Sequence, residues 1–128
     1  MNASQKQRFV DLKEKYGLSK DDFFKAPQGF VIITRSGIEK IQRGMNLTVQ
    51  YEVVESLCNV ETGHYVIKGV GIHKDGDRIV ESYGEASTKN CRNSYPVAMA
   101  EKRALSRVVL KSSDLYELGI YGEDEIDS

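Results

Sequence analysis

The sequence predicts an α+β fold: an N-terminal helix, then a three-stranded antiparallel β-meander with one short extra strand, packed against a long C-terminal helix. Two observations carry this prediction. Residues 47–87 form three strand-like stretches divided by turn signals. Residues 95–111 carry an apolar stripe at helical spacing. A meander followed by a helix buries both apolar faces by packing them together, in a β-β-β-α core.

Ser4 to Tyr16 reads as an amphipathic helix, with Phe9, Leu12 and Tyr16 on one side. Gly17 suits a left-handed C-cap, with Leu18 folding back on the last turn. Ser19 opens a short helical turn over Lys20 to Lys25, stopped near Pro27. Phe30 to Thr34 is an apolar, β-branched run and so a short strand. Ser36 and Glu39 have capping-box spacing, which predicts a helix from Gly37 to about Arg43, closed by Gly44, with Ile38 and Ile41 inward.

Leu47, Val49, Tyr51, Val53 and Leu57 alternate with polar residues and mark the first strand of the meander. His64 to Lys74 is the second strand, after a turn at Glu61-Thr62-Gly63. Asp75-Gly76 signals a tight hairpin into the third strand, Asp77 to Ser87. The paired glycines Gly69 and Gly71 suit close packing better than a dinucleotide fingerprint, whose third glycine is missing. Tyr95 to Lys111 is the long helix, with Pro96 in its first turn and Val97, Ala100, Ala104, Leu105 and Val108 on its apolar side. Glu101 falls on that side too, so it needs a partner or an exposed position.

The chain has 128 residues, of which 40% are hydrophobic and 29% charged. That suits one domain over residues 1–121, large enough to need no metal or disulfide. Cys58 and Cys91 do not form a CxxC pair. No apolar run approaches the ~20 residues of a membrane span, and no apolar signal core follows Met1. A cytosolic protein with no membrane partner is the expectation.

Net charge is −1, but its distribution is uneven. Residues 89–111 hold Lys89, Arg92, Lys102, Arg103, Arg107 and Lys111 against Glu101 alone. Arg103, Arg107 and Lys111 recur at i, i+4, i+8 and form one basic ridge. Residues 122–128 carry Glu123, Asp124, Glu125 and Asp127 with no base, and read as a flexible acidic tail. This pattern suits contact with a polyanion, but on charge alone a solvated helix face beside a solubilising tail is the favoured reading.

No P-loop, zinc-ligand spacing or nucleophile–base arrangement is present. Glu52, Glu55, Glu81 and Glu85 keep a metal-dependent nuclease open as an alternative. Single-strand binding asks for less: a basic groove along the backbone and flat side chains on which bases stack. Arg35, Lys40, Arg43, Lys68, Lys74 and Arg78 add cations, and Tyr51, Tyr65, Tyr83 and Tyr95 are the available rings.

The stretches Val80-Glu81-Ser82-Tyr83-Gly84-Glu85-Ala86-Ser87 and Tyr95-Pro96-Val97-Ala98-Met99-Ala100-Glu101-Lys102-Arg103-Ala104-Leu105, in this β-β-β-α order, resemble the single-strand annealing proteins. These are the phage recombinases of the Erf and Sak kind and the eukaryotic mediator Rad fifty-two. The resemblance spans about residues 30 to 121. It implies rings or filaments of like protomers, with single-stranded DNA in a continuous positive groove and its bases exposed for pairing. It implies annealing without ATP, metal or other cofactor, in phage-type recombination. By position, Lys102 and Arg103 match the pair that faces the DNA backbone, and Arg35 matches a further base. The family's next helix base falls at Ser106, where this chain instead has Arg107. The expected DNA-binding set is therefore Arg35, Lys40, Arg43, Lys102, Arg103, Arg107 and Lys111. The acidic tail is a candidate contact for a partner protein or a competitor for the groove. A protein-interaction module that binds no nucleic acid is the other alternative.

Overall fold

A computed structural model describes residues 1–74, 76, 79–89 and 94–126. Asp75, Asp77, Arg78, Cys91, Arg92 and Asp127 lie outside the described residues, and with them the Asp75 half of the hairpin signal and the expected start of the third strand.

Helix α1 (Ala3–Tyr16) starts at a capping box between Asn2 and Gln5 and ends at Gly17, whose φ of 65° is left-handed. The Leu18 N–H then donates back to the Lys13 carbonyl at 2.8 Å, as expected of such a cap. A one-turn 3₁₀ segment over Lys20–Asp22 replaces the longer turn predicted to Lys25. Strand β1 (Phe23–Lys25) follows, and then β2 (Val31–Ile33). Helix α2 (Arg35–Gly44) is capped by Thr34, whose hydroxyl accepts from the Gly37 N–H, two residues before the predicted Ser36 cap. Glu39 reaches the Arg35 side chain instead of the helix start.

The meander forms as β3 (Thr48–Val53), β4 (Tyr65–Ile72) and β5 (Ile79–Ala86), paired antiparallel in the order β3-β4-β5. Helix α3 (Pro96–Ser112) has Pro96 in its first turn. After it, the chain makes the short strand β6 (Ile120–Gly122). β6 pairs parallel with β2, and β1 pairs antiparallel with β2, giving a second three-stranded sheet that the sequence reading did not anticipate.

Helix α3 lies between the two sheets. Its Ala100, Ala104 and Val108 face the meander across Gly84, Gly69 and Gly71. A Cβ on Gly84 would collide with the Ala100 carbonyl and the Ala104 amide, and one on Gly71 would come within 2.6 Å of Val108. The strand glycines thus let helix and sheet approach closely. On the opposite side Ser106 and Leu110 meet Gly122 of β6. Ile33, Ile38, Ile41, Val108, Val109, Leu110, Leu115 and Ile120 are almost wholly buried in the main core. Val97, expected on the apolar stripe, is exposed, as is Glu101. The exposure of Glu101 removes its need for a buried partner.

Candidate nucleic-acid interface

The basic ridge of α3 does not face an open groove. β5 is an edge strand of the meander, and α3 runs along it with its cationic flank toward the strand. Arg103 Nη1 donates to the Glu85 carbonyl at 2.8 Å, Arg107 Nη1 to the Tyr83 carbonyl at 2.8 Å, and Lys111 Nζ to the Glu81 carbonyl at 3.3 Å. The repeat is a matter of matched lengths. Four helical residues advance about 6 Å, and two strand residues advance about 6.6 Å. The i, i+4, i+8 cations therefore meet alternate carbonyls of the edge. Unpaired edge groups invite another strand, and these three side chains occupy them.

The acidic segment is bound to the same flank. Residues 123–125 form a 3₁₀ turn after β6, so the segment up to Ile126 is packed and is not the free tail expected from residue 122. Arg107 donates five hydrogen bonds: to the Tyr83 carbonyl, to both Glu85 carboxylate oxygens and to both Glu125 carboxylate oxygens. All five guanidinium N–H groups are thereby used. The bonds to Glu125, with those to Glu85, raise the Arg107 pKa despite its burial, and the Arg107 hydrogen bond holds the Glu85 carboxyl below its ordinary value. Arg103 is only 3% exposed and also donates from Nε to the Asp124 carbonyl at 2.8 Å. The expectation that Arg103 and Arg107 present their charge to a strand is corrected here. Their guanidinium groups are spent on the β5 edge and on residues 124 and 125. Lys111 is exposed, but its ammonium also leans on that edge.

Lys40 is drawn away as well. Its Nζ lies 2.8 Å from the Asp22 carboxylate, which is almost wholly buried. Burial pushes the Asp22 pKa up, but the bonds from Lys40 and Ser19 outweigh it and hold the carboxyl below its ordinary value.

Of the remaining expected residues, Arg35 and Arg43 lie at the two ends of α2, Arg43 lines a furrow between the end of α2 and the start of β3, and Lys102 is exposed on α3. Arg35, Glu39 and Arg43 stand at i, i+4, i+8 and share one flank of α2. At the Arg43 end, a cavity of about 820 Å³ is lined by Gln42, Arg43, Asn46, Leu47, Thr48 and Lys74. Arg43 and Lys74 are both exposed there. Asn46 takes a left-handed φ of 51° in the tight turn into β3, a conformation that asparagine tolerates.

At the other end stands Tyr51 of β3, 40% exposed. Burial raises its hydroxyl pKa, the Glu101 charge adds to that rise and the Arg35 charge opposes it. Arg35 Nη1 is 3.9 Å from Asp124 Oδ2, and Ser106 donates to that same oxygen at 2.8 Å. Lys102 is exposed one turn before Ser106 on the same line of α3. Arg35 and Ser106 thus flank one carboxylate, that of Asp124. Arg35 and Arg43 are eight residues apart on α2, or about 12 Å. Lys74 and Tyr51 stand out from the sequence only as one cation and one ring among several. Their place in the furrow follows from the β3–β4 register, which sets Thr48 opposite Ile72 and brings Lys74 near the start of β3.

Among the described residues, no three His, Cys, Asp or Glu side chains gather as a metal ion would require. No described helix is long and apolar enough to cross a membrane. No protein-family model matches the chain, and neither the curated proteins nor the solved structures contain a significant match to it.

Proposed function

We propose that the protein binds single-stranded DNA along the α2–β3 furrow and anneals complementary strands without ATP. The observation that carries this reading is the placement of cations along α2, with Arg35 at its start and Arg43 beside Lys74 at its end, while Lys102, exposed on α3, adds a fourth. A single strand needs spaced positive charge along its phosphates and a flat surface for a base. Tyr51 is the ring nearest to that use. Gln42, Asn46 and Thr48 add neutral hydrogen-bonding groups between the charges.

The resemblance to single-strand annealing proteins supports the same reading. It matches Lys102 and Arg103 to the pair that faces the DNA backbone and Arg35 to a further base, and of these Arg35 and Lys102 are not buried. It also suggests that several protomers join their furrows into a ring or filament. Annealing then needs no bond-making chemistry. Two strands are held extended with their repulsion reduced, and pairing does the rest. The deciding test is fluorescence-monitored annealing of complementary oligonucleotides without ATP or metal, with the mass of the assembly measured alongside. Annealing faster than the free strands supports the reading. Annealing at the free-strand rate, with no oligonucleotide bound, overturns it.

A further inference from the structure

We propose that Glu123 and Asp124 form an acidic strap that competes with the DNA strand for the Arg35 end of the furrow. This rests on the strand-binding reading above and adds a restraint on it.

The three acids of the segment are not held alike. Glu125 is an anchor. Its two oxygens sit 2.6 and 2.8 Å from Arg107 nitrogens, and Arg107 has no N–H left to give. Glu123 and Asp124 instead occupy positions that a phosphate oxygen would suit. Glu123 Oε1 accepts from the Arg35 main-chain N–H at 2.6 Å, at the positive start of α2. Asp124 Oδ2 accepts from the Ser106 hydroxyl at 2.8 Å. It lies 3.9 Å from Arg35 Nη1, too far for a hydrogen bond.

Arg35 Nη1 is buried and has no hydrogen-bond partner among the described residues. The strap therefore neutralises this guanidinium without satisfying it. A buried donor left unmade is costly. An incoming phosphate that reaches Nη1 recovers that cost, while Asp124 moves out to water. The Arg107 bonds to Glu125 and the Arg103 bond to the Asp124 carbonyl hold the main chain, so the two carboxylate side chains can swing out and return without β6 leaving its sheet. Strand binding then requires displacement of two carboxylates, which weakens random contact with short polyanions.

The test compares the unaltered chain with Glu123→Gln/Asp124→Asn and with the remote control Asp11→Asn/Glu14→Gln, using fluorescent oligo(dT) at fixed salt. The amides keep acceptor oxygens for the Arg35 N–H and Ser106, so the packing partners stay; thermal unfolding of each variant checks this. Both variants remove the same charge. The strap predicts about a tenfold gain in affinity for the first and less than about a twofold change for the second, whose acids are screened by distance. Equal gains in the two variants, or no gain in either, overturn the strap while leaving strand binding in place. No binding by any of the three chains overturns the strand-binding reading itself, and the strap falls with it.

Discussion

Arg107 Nη1 donates to the main-chain carbonyl of Tyr83 at 2.8 Å, and the rest of its guanidinium is shared by Glu85 and Glu125. Arg107 thereby ties three elements together: the β5 edge, α3 and the chain that follows β6. The contact also separates the two flanks of α3. One flank closes a sheet edge, and Glu101 and Lys102, off that flank, are exposed.

Replacing Arg107 by alanine leaves two carboxylates facing each other without their cation and frees the Tyr83 carbonyl. Breaking a buried pair costs about 3–5 kcal/mol. Glu85 is partly exposed here, so the expected loss is smaller, about 2–3 kcal/mol. Urea unfolding measures it. The same variant keeps the furrow cations and loses the Glu125 anchor of the acidic strap, so it is expected to bind oligonucleotide at least as well as the unaltered chain at a temperature where both are folded.

Gly84→Ala is expected to be among the most damaging single changes in the meander. The added methyl meets main-chain atoms of Ala100 and Ala104, which cannot turn aside as a side chain can. Overpacking of this kind costs about 3 kcal/mol. A fall in the thermal midpoint, far larger than that for the exposed change Val97→Ala, is the expected result.

The Glu85 carboxyl lies below its ordinary value in the folded protein, chiefly through Arg107. A depressed carboxylate contributes stability above its unfolded value of about 4.3, and this is lost as pH falls through the lower folded value. Glu85→Gln is therefore expected to be less stable than the unaltered chain near neutral pH. The gap should narrow below about pH 4. Urea titrations at neutral and acid pH check the sign.

Much of this architecture is legible in the sequence, and the limits have physical causes. Gly17 announced its cap, because a left-handed residue at a helix end needs glycine. The meander and α3 were legible because each repeats its period over many residues. β1 and β6 hold three residues each, too few to show a period, so the second sheet was invisible. The ridge was read correctly as one face, since i, i+4, i+8 fixes shared direction. Spacing does not say what that face meets, and Arg103, Arg107 and Lys111 meet carbonyls of β5. Arg35 of α2 and Ser106 of α3 meet the same acidic segment because the β2–β6 pairing carries the chain after Gly122 past both helices. No short-range pattern encodes that pairing.

The proposed strand binding rests on the furrow and not on the α3 ridge. Its most direct test is the salt dependence of oligo(dT) binding. Each phosphate neutralised contributes a slope of about −0.7 in log affinity against log salt, so four cations give a slope near −3. Arg43→Ala/Lys74→Ala is expected to weaken binding and to flatten the slope by about 1.4, with the thermal midpoint little changed. An unchanged affinity and slope in that variant would contradict the account.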